Sequence, residues 1–134
     1  MNLLLEIITP EKVVYKDEVA EVVVPTINGE IAILPNHVNL LTQVNPGELI
    51  VKKGSSQQYL AITGGFLEVS NNKVSILADY AVKAQDIEVA RAQEAKKRAE
   101  RVMSEKATDN ELRIAQGEMI KAILELKVAT KHKR

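Results

Sequence analysis

The sequence predicts an all-β unit of short antiparallel strands, a sandwich or barrel, followed by a C-terminal antiparallel two-helix hairpin. Three observations carry this expectation. Short runs rich in Val, Ile and Leu fill the first part of the chain, with turn-forming pairs between them. All four prolines and five of the six glycines lie before residue 66. Beyond Asp86 the pattern changes to alanines at helical spacing, framed by capping signals.

Taken in order, strands are expected at 3–9, 13–15, 19–24, 30–34, 47–53, 57–63, 65–69 and 73–77. Asn28-Gly29, Pro46-Gly47, Lys53-Gly54-Ser55 and Asn71-Asn72 supply turns between them. Gly64-Gly65 reads as a bulge or tight turn. No segment between these runs is long enough for a crossover helix, so the pairing is expected to be antiparallel. Asp86 is expected to cap the first helix, with Glu88 in its first turn, where the helix dipole favours an acid. Its seam is Ala92, Ala95, Ala99 and Val102. Thr108-Asp109-Asn110-Glu111 has the form of a capping box and should open the second helix. The stripe there is Leu112, Ala115, Met119, Ala122 and Leu126, interrupted by Gly117 in mid-helix. A turn at Ala107 and Thr108 makes Ala95 face Met119 or Ile120, and Ala92 face Ala122 or Ile123.

The two parts, 1–84 and 85–134, also differ in charge. Residues 1–86 carry six Lys and ten Asp or Glu, while residues 87–134 carry twelve Lys or Arg and eight Asp or Glu. Overall the 134 residues have net charge zero, 46% apolar and 27% charged residues, ordinary values for a globular protein. The absence of cysteine excludes a disulfide framework and thiolate metal sites. No apolar run reaches membrane-spanning length, and the N-terminus has neither the basic start nor the long apolar run of a secretory signal. A cytoplasmic location is expected.

Little here suits an enzyme. His132 lies in a basic tail, and His37 follows Leu34-Pro35-Asn36 in a turn with no Ser or Asp partner pattern nearby. There is no glycine-rich phosphate loop, paired-carboxylate motif or metal-ligand spacing, and a small hydrolase fails for want of a nucleophile–base pair. Nucleic-acid binding is not expected, since the basic part has no aromatic residue on which a base could stack. Arg91 and Arg98 lie on one helix face about 10.5 Å apart along the axis and could grip a phosphate chain. The plainer reading is that Glu94 pairs with Arg98 four residues on.

At residues 29–37 (GEIAILPNH) the sequence resembles the ε-subunit family of bacterial and chloroplast ATP synthases. VNPGEL at 44–49, TGGFLEV at 63–69, ILAD at 76–79 and DIEVARAQEAKKRA at 86–99 agree, so the resemblance runs essentially end to end. It implies a ten-stranded β-sandwich followed by a helical hairpin. It implies a non-catalytic central-stalk subunit whose sandwich binds the γ subunit and the c-subunit ring. The acidic residue after the Asn-Gly turn, Glu30 here, is implied at the c-ring contact, with His37 in the same loop region. The helical arm is implied to fold down or to extend toward the β and α subunits of the catalytic head, inhibiting ATP hydrolysis. Arg98, Arg101, Arg113 and Lys121 are its implied inhibitory basic residues. A peripheral place on the cytoplasmic face of the bacterial cell membrane follows from the same resemblance.

Some members of that family bind ATP through an Ile/Leu-Asp-x-x-Arg-Ala motif. Here the match gives Ile87, Glu88, Arg91, Arg98 and Lys121 as nucleotide-binding candidates, but Glu88 stands for Asp. Val82 and Glu125 replace an acid and an arginine of the binding members, and Asn39 replaces a common proline. No tightly bound cofactor is expected, and ATP only as a weak regulatory ligand. The rival expectation is a small β-domain whose main business is sensing nucleotide through the hairpin.

Overall fold

The computed structural model describes residues 2–132 and divides into two compact units, Met1–Lys83 and Ala84–Arg134. The first unit holds ten strands: β1 (Leu3–Ile8), β2 (Val13–Val19), β3 (Glu21–Thr26), β4 (Gly29–Ile33), β5 (Leu40–Val44), β6 (Gly47–Lys53), β7 (Ser56–Ile62), β8 (Gly65–Ser70), β9 (Lys73–Ala78) and β10 (Ala81–Lys83). Their hydrogen-bonded order is β10, β7, β6, β3, β5, β8, β9, β1, β2, with β4 on the free side of β3. β3 and β5 share one register pair, Thr26 with Val44, where the path passes from one layer of the sandwich to the other.

Alternation sets the core. Leu3, Leu5 and Ile7 of β1 are buried while Leu4, Glu6 and Ile8 are less so, and β3 repeats the pattern with Val22, Val24 and Thr26. Leu49, Leu60, Leu67 and Ile76 join them with no measurable exposure. Each such side chain contributes roughly 1.5–3 kcal/mol on burial. These strands therefore carry most of the unit's stability.

Three details depart from the sequence reading. The run at 19–24 is two strands, because the chain turns at Ala20 and β2 ends at Val19. β5 and β10 were not expected from the residue pattern, although a ten-stranded count matches the resemblance. The antiparallel rule has one exception: β1 lies parallel to β9, Leu4 opposite Lys73 through Ile8 opposite Leu77. No crossover helix is needed, because the rest of the sandwich forms the connection between these distant strands.

Glycine and asparagine occupy the positions where the backbone demands them. Asn71 and Asn72 both have positive φ (51° and 63°) in the two-residue turn between β8 and β9, the mirror-image turn that suits hairpin twist. Gly65 has φ 135°, and a Cβ there would lie 1.9 Å from the Leu77 carbonyl oxygen. The close passage of β8 over β9 thus requires glycine.

In the second unit a 3₁₀ turn, Ala84–Asp86, precedes α1 (Val89–Ser104) and α2 (Asp109–His132). The expectation that Asp86 caps α1 is corrected. The 3₁₀ turn is closed by Ile87 N–H donating to the Ala84 carbonyl at 3.2 Å, which buries Ala84 and Ile87. The chain leaves that turn through Glu88, which takes the N-cap position with extended backbone and no side-chain cap. α2 begins where the capping box placed it. The helices pack against each other, and Ala92, Ala99, Ala115 and Ala122 are buried. Ala95, Val102, Leu112, Met119 and Leu126 are half-buried, so both expected stripes lie on the less exposed faces.

Candidate partner-binding surfaces

Glu30 owes its exposure to the β4 alternation. Ile31 and Ile33 turn inward, so Glu30 and Ala32 turn to solvent. Thr26 holds the preceding turn: its hydroxyl donates to the Gly29 carbonyl at 2.6 Å and accepts Asn28 N–H at 3.1 Å. Beside it Ile27 is 54% exposed. Glu30 is thus a free-standing acid on a rigid two-residue hairpin, next to an apolar side chain.

His37 lies elsewhere. It sits in the loop after β4, and the three residue steps from Glu30 to Ile33 alone span about 10 Å. Its N–H donates to the Leu34 carbonyl at 3.2 Å, closing a turn in which Pro35 and Asn36 (φ 66°) are central. Its Nδ1 lies 2.7 Å from the Val38 carbonyl oxygen. A carbonyl only accepts, so Nδ1 is the donor in this contact. Leu34 and Val38 flank it, 52% and 75% exposed. The loop therefore offers two apolar side chains around one imidazole. Glu30 and His37 belong to two neighbouring features rather than one loop.

A further exposed apolar group lies on the outer face of the sheet. Phe66 and Leu77 face each other across β8 and β9 and are each 56% exposed. With Ile8, Thr9 and Pro10 they line a shallow cavity of about 330 Å³. The residue pattern singled out neither, because an exposed Phe in an alternating strand looks the same as a buried one until register is known.

Between β2 and β6 lies a polar cleft of about 310 Å³ lined by Tyr15, Lys16, Asp17, Lys53, Gln58 and Lys83. Lys53 pairs with Asp17 there. The hydrogen bond from the Lys53 ammonium holds the Asp17 carboxyl below its usual range, and the same bond raises Lys53. Burial pushes the Tyr15 phenol up, with the Asp17 charge adding to it. Lys83 stands over the Tyr15 ring, 5.8 Å from its centroid.

On the hairpin, the nucleotide-binding candidates differ in exposure. Ile87 is buried at 1% exposure. Glu88 pairs with Arg91 at 3.7 Å, and both side chains remain well exposed. Arg98 lies exposed two turns further along α1, and Lys121 is half-buried on α2. The expected Glu94–Arg98 ion pair is absent among the described residues; Arg91 pairs back to Glu88 instead. Arg101 lies in the last turn of α1, where a cation is favoured, and Arg113 donates to Asn110 Oδ1 at 3.0 Å. Among the described residues no group of three or more His, Cys, Asp or Glu could hold a metal, and no helix is long and apolar enough to cross a membrane.

Comparison with known proteins covers nearly the whole length. Residues 2–84 match the family described as ATP synthase, Delta/Epsilon chain, beta-sandwich domain, and residues 85–130 that described as ATP synthase, Delta/Epsilon chain, long alpha-helix domain. The ATP synthase epsilon chain of Dehalococcoides mccartyi is 44% identical over 134 residues, 99% of this chain and 96% of that one. The epsilon chain of Desulforamulus reducens is 42% identical over 125 residues, 93% and 95% of the two chains. Among solved structures, a chain of the Euglena gracilis mitochondrial ATP synthase, an OSCP/F1/c-ring assembly, superposes with a TM-score of 0.74 at 27% identity. That match covers 98% of this chain and 82% of that one. A chain of the Tetrahymena thermophila central stalk and c-ring shares the fold, with a TM-score of 0.64 at 15% identity over 94% and 95% of the two chains.

Proposed function

The chain belongs to the ATP synthase delta/epsilon family, as an epsilon subunit and not itself the catalytic subunit, and on that premise we propose that it couples γ rotation to the c-ring and restrains ATP hydrolysis through its helical arm. The sandwich is the anchoring part, gripping γ and presenting Glu30 and the His37 loop to the c-ring. The arm is the regulatory part: it extends toward the β and α subunits and brings Arg98, Arg101, Arg113 and Lys121 near an acidic segment of β. On this reading the chain sits peripherally on the cytoplasmic face of the bacterial cell membrane.

One observation carries the regulatory reading. Among the described residues the two helices bury six side chains, five of them alanine (Ala92, Ala99, Ala115, Ala122 and Ala129), with Val128 the one larger residue. A buried methyl is worth about 0.8 kcal/mol, so the five alanines contribute about 4 kcal/mol and Val128 about 2 kcal/mol more, roughly what two or three buried Leu or Ile side chains of the sandwich supply. The hairpin can open at a cost that leaves the sandwich intact. The deciding experiment is ATPase activity of the matching catalytic head with the full chain and with residues 87–134 removed. Faster hydrolysis by the truncated form is expected; equal rates overturn the inhibitory reading.

Nucleotide sensing has weaker support. Glu88 is engaged with Arg91, Ile87 is buried, and Glu125 adds negative charge where phosphates would already need compensation. ATP is at most a weak ligand of this arm.

A further inference from the structure

The loop at 34–39 forms no strand, yet its turn is tied to two distant parts of the chain through one side chain. The Asn36 backbone N–H donates to Asn72 Oδ1 at 2.9 Å. From its other end the same amide donates, Nδ2 to the Asn2 carbonyl, also at 2.9 Å. The Asn72 backbone carbonyl accepts Leu4 N–H at 3.1 Å. Asn72 thereby joins the start of β1, the β8–β9 turn and the loop that carries His37.

The chemistry selects asparagine. Its position in the two-residue turn needs positive φ, which glycine, asparagine and aspartate tolerate best. Of these, only asparagine has a side chain that accepts at one atom and donates at another, as Asn36 N–H and the Asn2 carbonyl require. Leu34, His37 and Val38 make no strand pairing to hold them, so their presentation depends on the turn centred on Pro35 and Asn36. Order present before docking need not be acquired on docking, which favours binding.

We propose that Asn72 is a positioning residue: it does not touch the partner, but fixes the orientation in which Leu34, His37 and Val38 meet it. The inference rests on the reading that this loop contacts the c-ring. It adds a residue on a different hairpin to that contact and predicts which chemical features of its side chain matter.

Two substitutions separate the amide from the backbone. Asn72→Gly keeps the left-handed turn and removes both hydrogen bonds, while Asn72→Asp keeps the acceptor for Asn36 N–H and loses the donor to Asn2. Amide hydrogen exchange on the full-length chain is read at Asn36, with Leu67 and Ile76 reporting the core. In Asn72→Gly, Asn36 is expected to exchange about fivefold faster with the core amides unchanged, and Asn72→Asp to stay within about twofold of the parent. In the assembled enzyme, ions pumped per ATP hydrolysed are expected to fall in Asn72→Gly and to recover in Asn72→Asp, a recovery that general weakening of the fold would not produce. Unchanged Asn36 exchange in Asn72→Gly overturns the clamp. Faster exchange with unchanged pumping overturns the positioning role. In that case Glu30→Lys decides the scope: if it uncouples, the c-ring reading survives without Asn72, and if it does not, that reading falls as well.

Discussion

Thr108 and Glu111 cap α2 reciprocally. Thr108 N–H donates to Glu111 Oε1 and Glu111 N–H donates to Thr108 Oγ1, each at 3.1 Å. The hydrogen bond from the Thr108 backbone N–H, with the Thr108 hydroxyl adding to it, holds the Glu111 carboxyl below its usual range. Its contribution is therefore complete above the ordinary glutamate pKa of about 4.3 and is lost as pH falls below it. Thr108→Ala should weaken the start of α2 by about 1 kcal/mol at neutral pH, measured by thermal unfolding followed through helix signal. Glu111→Gln should flatten the acid side of the stability profile.

Two glycines should respond oppositely to alanine. At Gly65 the new Cβ would meet backbone atoms, 1.9 Å from the Leu77 oxygen, at a φ that side chains rarely adopt. Gly65→Ala is expected to cost at least about 3 kcal/mol in denaturant unfolding. Gly117 has nothing within 4 Å of its would-be Cβ. Gly117→Ala should stabilise α2 by about 1 kcal/mol.

Glu30→Lys should weaken coupling without unfolding the sandwich, because Glu30 is exposed and Ile31 and Ile33 hold the strand. ATP-driven ion pumping in the substituted enzyme is the measurement. Pumping at parental efficiency would remove Glu30 from the c-ring contact.

ATP should bind the isolated chain more weakly than a micromolar dissociation constant, about −8 kcal/mol, in calorimetry. Tighter binding that disappears in the Arg91→Ala, Arg98→Ala double variant would establish a nucleotide site.

A disulfide can hold the hairpin closed. Ala95 and Met119 are both half-buried on the facing stripes, and small seam residues allow the close approach that a disulfide needs. Ala95→Cys with Met119→Cys should oxidise readily, and the oxidised enzyme should hydrolyse ATP faster than the reduced one. Reductant should restore inhibition. Quantitative bridging with no gain in rate would show that opening of this hairpin is not the inhibitory step.

How much of this was legible depended on where each signal was stored. β1 and β9 announce themselves as short apolar runs bounded by turn-forming residues, and the Thr108–Glu111 box by its spacing alone. β5 does not: in Leu40-Leu41-Thr42-Gln43-Val44 only Val44 is buried and Leu41 is 72% exposed, so its strand state comes from pairing with β8. β10, three residues long, exists through its pairing with β7. Asp86 misled because a good capping residue is also a good turn residue, and burial of Ala84 and Ile87 favoured the 3₁₀ turn. At the candidate contact, the motif located Glu30 and His37. The separation between them, and the tie from Asn36 to Asn72, are tertiary facts with no trace in local pattern.

The position of β1 also shapes how the chain must fold during synthesis. Of the ten strands β1 is made before the others and its neighbour β2 follows at once, but its other neighbour is β9, where Lys73 pairs with Leu4. Until β9 emerges, one edge of an apolar strand has no partner and can recruit other strands. Such long-range pairing also raises contact order, which places folding toward the millisecond-to-second range. Completion of the sandwich therefore waits on residues made just before the hairpin begins, and interruption of synthesis before Ala78 would leave an aggregation-prone fragment rather than a smaller stable domain.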